Sequence, residues 1–359
     1  MVTDLLAIEH AFGVEVSDRT RALRELLVYG SYLQNHATHL FVFATPDFLG
    51  HKSVFPLASE NRPLYDGALA LKALGNELCT KVGGRSVHPI CAVVGGFTSE
   101  PNREEYLRLA EKMEAAMDFA EEAVDLIASF EVMEMATEGD MLAMVAPGRY
   151  PVCDSDTALF VRADYEFSAQ DAEKEIEEYP IGHSAAFLAR AARTERPYMT
   201  AALARINASW ANLGKRARYA SARAGLRPPV YNPFANNVAQ AVEILDALDR
   251  CAALCRRLAA DEFEGGSAPV GFEPKAGSGV GFTEAPRGAL FHRLTLDAKG
   301  RVKSANILTP TAQNIANMEA DMAEVAQAFV DAGRSPEAIK LEAEKLVRAY
   351  DPCLSCSVH

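Results

Sequence analysis

The sequence predicts a mostly α fold, in which long helices outnumber a few short strands. Three observations carry that expectation. Apolar residues recur at helical spacing over long stretches, at 17–45, 102–130 and 236–260. Short apolar runs bounded by turn residues lie at 141–145 and 157–161, and a hairpin pattern covers 290–308. The apolar fraction of 49% and charged fraction of 24% are those of a globular chain that can bury a sizeable core.

The elements follow in order. Residues 17–45 read as one helix, capped by Ser17 or Asp18, with Leu23, Leu26, Leu27, Leu33, His36 and Leu40 at helical spacing and Pro46 marking its end. Residues 61–82 form a second helix, stopped by Gly83-Gly84. Cys91 sits in an apolar stretch and reads as a core thiol. Residues 102–130 place Glu and Lys on one side and apolar side chains on the other. Helices are expected at about 168–178, 198–224 and 236–260. Residues 264–281, rich in Gly, Ser and Pro, read as a long loop passing through an active site. A hairpin then turns at Asp297-Ala298-Lys299-Gly300, Pro310 opens the next helix, and an amphipathic helix covers 336–350. The 359 residues are expected to form a single domain.

Composition excludes several classes. A net charge of −13 argues against a nucleic acid or an anionic membrane as partner. No apolar run approaches the length needed to span a bilayer, and the first residues are not those of a signal peptide. Seven cysteines, mostly scattered singly, do not make a secreted disulfide framework, so a reducing, cytoplasmic setting is expected.

Candidate chemistry concentrates at the C-terminus. The chain closes on Asp351-Pro352-Cys353-Leu354-Ser355-Cys356-Ser357-Val358-His359. Thiolate and imidazole suit soft or borderline transition metals, and Pro352 stiffens the approach to the first cysteine. Arg287 follows a Gly-rich stretch in Glu284-Ala285-Pro286-Arg287-Gly288. Its fixed fork of donors keeps its proton, so it can hold positive charge beside anionic groups; the plainer reading is a surface ion pair. His36 and His39 share a helix face, either as a buried hydrogen-bonded pair or in a proton or metal role. Cys153, Cys251 and Cys255 read by default as ordinary thiols.

D-P-C-x-x-C-x-x-H at a chain terminus resembles the closing motif of the large, catalytic subunit of nickel–iron hydrogenases. Further segments resemble that family in order. They are H-x-x-H followed by Pro46-Asp47, G-G-R-x-x-H-P at 83–89, Ala204-Arg205-Ile206-Asn207, Asn232-Pro233-Phe234 with Glu243, E-A-P-R-G, and Pro310-Thr311-Ala312-Gln313-Asn314. The likeness is closest to the cytoplasmic branch that reduces nucleotide or deazaflavin coenzymes or works beside heterodisulfide reductases.

The resemblance implies a bundle of long helices with small antiparallel β-sheets at its periphery. It implies reversible, heterolytic hydrogen oxidation and proton reduction, with a cysteine thiolate or the arginine taking the proton. Nickel, and iron carrying cyanide and carbon monoxide, would be held by Cys353 and Cys356, with Cys356 bridging. Arg287 and Pro286 would face the iron's diatomic ligands, and Asp47 would lie near the metals. Arg287, Asp47 and Cys353 are the expected catalytic residues. The carbonyl of Ile315 and the side chain of His359 would help bind a further magnesium or iron. No iron–sulfur motif lies on this chain, so electrons would leave through an iron–sulfur small subunit. Coenzyme-reducing NAD(P) or deazaflavin subunits and maturation proteins are the other implied partners.

One departure stands out. The family takes two more cysteines from an N-terminal R-x-C-G-x-C-x-x-x-H, which this sequence does not contain. An N-terminally truncated family member, starting just past that motif, is therefore expected. Two other readings compete: a non-redox, hydrogenase-related subunit like that of respiratory complex I, and a scaffold with a structural zinc at Cys353, Cys356 and His359.

Overall fold

The computed structural model describes residues 1–357, and helices predominate. α1 (Val2–Phe12) leads into α2 (Asp18–Thr38), whose first turn is capped by the Ser17 hydroxyl. α2 runs through a π-helical turn, His39–Ala44, into α3 (Thr45–Phe48). The run expected at 17–45 therefore contains a widened turn, and Pro46 does not end it. Pro46 occupies the first turn of α3, where its missing N–H is not needed. α4 (Leu57–Glu60) precedes α5 (Arg62–Gly83), which packs along α2 and stops at Gly84 with φ 81°.

A two-residue ribbon follows, β1 (Ala92–Val93) with β2 (Gly96–Phe97). Cys91 is not a core thiol: it is half-buried beside this ribbon, and its sulfur accepts a bond from the Ser99 hydroxyl. α6 (Arg103–Ala115) and α7 (Met117–Ala128) realise the 102–130 pattern, opened by an Asn102–Glu105 capping box.

β3 (Asp140–Val145), β4 (Thr157–Phe160) and β5 (Tyr165–Ser168) form a meander. The helix expected at 168–178 is a correction. It is a 3₁₀ turn, the one-turn α8 (Ala172–Glu175), and then a strand, β6 (Ile176–Tyr179), paired with β7 (Leu188–Ala191). Its buried apolar residues Ala169, Ala172 and Ile176 do keep helical spacing, but two of the three are small alanines, and from Ile176 onward a Glu177–Arg190 pair across the strands favours the ribbon. β8 (Tyr198–Met199) joins β3 in parallel, the exception to the antiparallel pairing expected.

The helix expected at 198–224 is likewise two, α9 (Ala202–Ser209) and α10 (Lys215–Arg223). They separate before Gly214, whose N–H donates to Asp246. α11 (Asn236–Ala259) is the axis of the molecule. It packs against α2, α6, α7, α9 and α10, and its many buried residues include Gln240 and Glu243.

The segment expected as a loop at 264–281 is corrected in its second half. Gly277 begins a strand, β9 (Gly277–Ala285), in a sheet ordered β11-β10-β9 with β10 (Gly288–Leu296) and β11 (Val302–Leu308). Its glycines let α1 lie directly on it: a Cβ at Gly281 would sit 1.9 Å from the Thr3 carbonyl oxygen. The preceding loop is exposed and meets the β1–β2 ribbon through Ser267 and Val270 rather than lining an active site. α12 (Pro310–Asp331), α13 (Pro336–Ala349) and the short α14 (Leu354–Ser357) bring the chain to its last residues. Among the described residues no helix is long and apolar enough to cross a membrane.

Candidate metal centre

The site is built outward from one buried arginine. Arg205, on α9, uses all five of its N–H groups. Nε and Nη2 grip the two carboxylate oxygens of Glu243 on α11 at 2.6 and 2.8 Å. Nη1 reaches Glu284 Oε2 and the Ala285 carbonyl, each at 3.0 Å, and Nη2 reaches the Pro286 carbonyl at 2.9 Å. The fixed fork makes such a pattern possible. Arg205, Glu243 and Glu284 are all buried. Burial alone would raise the Glu243 carboxyl, but the charge and hydrogen bonds of Arg205, helped by His36, bring it down to about 2. Burial dominates at Glu284 and raises it, although Arg205 and the Met144 N–H oppose. Tyr150 donates to Glu243, and Tyr32 to the Glu284 carbonyl.

This network clamps three consecutive residues just before Arg287. Asn314, at the start of α12, holds the far side of the turn: its amide bonds both backbone groups of Thr200 at 2.7 Å and the Arg287 carbonyl at 3.4 Å. Gln313 ties Tyr198 to the Ala289 carbonyl. The two buried amides of P-T-A-Q-N thus lock the sheet end to the helix.

Arg287 is thereby aimed at Asp351. Its Nε lies 2.7 Å from the Asp351 carbonyl oxygen and 3.1 Å from Oδ1. Asp351 holds a left-handed backbone, φ 49°, uncommon for a residue with a side chain. Its Oδ2 accepts from Asn35 at 2.6 Å and Gln240 at 3.1 Å. Two residues on, the Cys353 N–H donates to the Thr311 hydroxyl at 3.1 Å, seating the cysteine block on the N-terminus of α12. Cys353 and Cys356 have Cα atoms 5.3 Å apart and are joined as a disulfide. A cavity of about 340 Å³ opens beside Arg287 on the α2 side, lined by Asn35, His39, Lys72 and Pro286 among others.

The other expected residues separate into groups. His36 and His39 follow the plainer reading, a buried and hydrogen-bonded pair. His36 donates to Glu243 at 2.9 Å, and burial holds its imidazole below the ordinary value despite that carboxylate. His39 bonds Gln240 at 2.5 Å and the Arg348 carbonyl at 2.6 Å. Asp47 pairs with Arg348 at 2.6 Å, and burial raises its carboxyl in spite of that cation. Among the described residues no hydrogen bond or ion pair joins Asp47 to Arg287 or to the cysteines. Pro286 enters through its carbonyl, held by Arg205. Ile315 is half-buried in the first turns of α12, with its carbonyl in the helix ladder. His359 lies outside the described residues. Cys251 and Cys255 are buried in the core, and burial pushes the Cys255 thiol up to about 12, as befits inert thiols. Cys153 is half-buried in the β3–β4 connection.

Sequence reading missed the second role of Asp351, and with it Asn35, Gln240 and Thr311. Asp351 was visible in the cysteine block as the residue before Pro352. A carboxylate so placed is a ready partner for Arg287, but nothing in the linear order pairs residues 64 apart.

The donor set decides what could bind. Two sulfurs on one turn fit a soft or borderline ion as thiolates. Among the described residues no group of three His, Cys, Asp or Glu side chains could hold a metal. Cys353 and Cys356 could, as thiolates, supply two sulfur donors to such an ion, with Arg287 held on Asp351 two residues before the first of them, and do not close a site alone.

Comparison with known proteins gives the relationship. Residues 235–359 match the family model described as nickel-dependent hydrogenase. Sulfhydrogenase 2 subunit alpha of Pyrococcus furiosus is 33% identical over 359 residues, spanning 100% of this chain and 82% of that protein. Sulfhydrogenase 1 subunit alpha of the same organism is 34% identical, with 100% and 82% covered. In solved structures, an NAD+-reducing NiFe-hydrogenase in the H2-reduced state superposes with a TM-score of 0.86 at 24% identity, covering 100% of this chain and 84% of that one. A NiFeSe hydrogenase from Desulfomicrobium baculatum gives 0.73 at 20% identity, covering 100% and 86%; at these identities the likeness is one of fold. With a third of its residues shared across its whole length and most of the length of such relatives, the chain belongs to the nickel-dependent hydrogenase family.

Proposed function

We propose that this chain is a catalytic large subunit for reversible, heterolytic hydrogen oxidation and proton reduction, passing electrons to an iron–sulfur small subunit. The observation that carries the reading is Arg287 hydrogen-bonded to Asp351, two residues before Cys353. In this reading Cys353 and Cys356, with their disulfide reduced to thiolates, would hold nickel, and Cys356 would also serve an iron bearing cyanide and carbon monoxide. When bound, that group supplies an electrophilic site at which the H–H bond is polarised. The protein's own part is electrostatic and positional. Arg287 holds positive charge against Asp351, next to the cysteine block. Asp351 orients the guanidinium, and its own orientation is set by Asn35 and Gln240. The Cys353 sulfur is the group we assign to hold the proton. Pro286, fixed by Arg205, would wall the side facing the iron. Asp47 acts through its pair with Arg348. Ile315 and His359 are assigned to a further magnesium or iron.

The partner reading draws on relatives named as subunits and on exposed apolar side chains. Phe43 (55% exposed) and Val87 (59%) flank the cavity beside Arg287. Coenzyme-reducing subunits, maturation proteins and a cytoplasmic setting belong to the same proposal.

The test is metal analysis and infrared spectroscopy of the full-length polypeptide, co-expressed with its maturation proteins and iron–sulfur partner. Nickel, iron and bands of bound cyanide and carbon monoxide are expected, and Cys353→Ser or Cys356→Ser should each abolish nickel retention. Zinc alone would favour the scaffold reading. No metal would favour the non-redox one. Normal nickel in both variants would refute the ligand assignment.

A further inference from the structure

A second polar cluster, outside the site described above, gathers around Tyr350, the residue before Asp351. Asp321, on α12, is 2% exposed, and among the described residues no lysine or arginine is ion-paired with it. Its Oδ2 accepts from the Tyr350 hydroxyl at 2.5 Å and the Asn317 amide at 3.4 Å. Asn317 also donates to the Tyr350 oxygen at 2.6 Å and to the Thr137 hydroxyl at 2.9 Å. Tyr350, 1% exposed, is the residue immediately before Asp351. A cavity of about 230 Å³, lined by Glu138, Arg196, Asn317, Asp321 and Glu324 among others, reaches this cluster; Glu138, Arg196 and Glu324 are exposed, so water has access to it.

We propose that Asp321 is a positioning residue whose protonation state sets how firmly Tyr350 anchors the chain leading to Asp351 and Cys353. Arg287 is held by Asp351, so its placement becomes pH-dependent through a group that hydrogen-bonds Tyr350 and Asn317 and not Cys353 or Cys356. Every charged or titratable neighbour has a part. Burial pushes the Asp321 carboxyl up to about 6, opposed by the hydroxyls of Tyr350 and Thr137 and by the charge of Arg162, and reinforced by Glu324. Glu138 and Arg196 line the mouth of the cavity. Asp321 lies above its ordinary 3.8, so protonation favours the closed seat. Its contribution is full below about 4 and is lost as pH rises to about 6. An opening that exposes Asp321 is therefore about tenfold more frequent at pH 7.5 than at pH 5.

The inference depends on the proposed function only for its consequence at Arg287. Amide exchange of residues 350–353, corrected for the intrinsic rate, tests the anchor itself and needs neither nickel nor hydrogen. The wild type should lose about tenfold protection between pH 5 and 7.5. Asp321→Asn should not, while Asp321→Glu should retain a pH dependence with a shifted midpoint. Tyr350→Phe keeps the ring but removes a donor to the anion, so its midpoint should rise. The same profile in wild type and Asp321→Asn would overturn the proposal, as would a change spread evenly over the whole chain. If Asp321→Asn does not fold, an unchanged midpoint in Tyr350→Phe overturns it instead. Absence of hydrogen turnover with the exchange effect intact would count against the function and leave the anchor standing.

Discussion

Replacing Arg205 with methionine removes the guanidinium but keeps much of the side-chain volume. It leaves Glu243 and Glu284 buried without their cation, and strips three ties from residues 284–286. The magnitude follows from Glu243. Holding that carboxyl at about 2 rather than its ordinary 4.5 corresponds to about 3 kcal/mol at neutral pH. Breaking a buried pair by deleting one partner costs about 3–5 kcal/mol by general experience, which agrees. The sign is defined. Glu243 is depressed in the folded state, so its contribution is present above the unfolded value of 4.5 and is lost as pH falls towards about 2. Urea unfolding of the wild type should therefore show a stability loss across that acid window that Arg205→Met lacks. Adding Glu243→Gln should recover part of the loss at pH 7, and the double-mutant cycle isolates the coupling. A loss below about 1 kcal/mol for Arg205→Met at pH 7, or an unchanged acid profile, would show that Arg205 is not the electrostatic centre of this fold.

Two further outcomes are expected. Arg287→Lys keeps the charge but not the planar fork that meets the carbonyl and carboxylate of Asp351. Nickel content should survive while hydrogen turnover falls about tenfold or more, and unchanged turnover would make Arg287 an ordinary ion-pair residue. Gly281→Ala forces a Cβ to within 1.9 Å of the Thr3 carbonyl, so α1 must shift off β9. Stability should drop by about 1–3 kcal/mol, read as a lower urea midpoint, and a wild-type midpoint would contradict that packing.

The sequence by itself determined the long helices, because amphipathic periodicity, capping residues and terminating glycines act within a few residues of one another. α6, α12 and α13 lie where spacing and caps place them, and α7 and α11 where spacing does. The cysteine block was legible as a candidate for a similar reason: two cysteines on one turn after a proline form a local pattern. Arg287 was legible as a candidate, though its partner was not. Arg287 meets Asp351 only because a sheet end and the last helical turn are brought together by Arg205, Asn314 and Thr311, residues scattered between 205 and 314.

Tertiary structure alone decided where glycine is a strand residue. β9 reads as loop because Gly277, Gly279 and Gly281 carry no hydrophobic signal, yet their lack of side chains is what admits α1. It also decided that the 168–178 run gives way to a ribbon at Ile176 and that Pro46 continues a helix beyond a π turn. The Asp321–Tyr350 contact belongs here too. A buried carboxyl and a phenol become partners only when α12 and α13 fold back on one another, and burial, which no local pattern encodes, raises the acid to about 6.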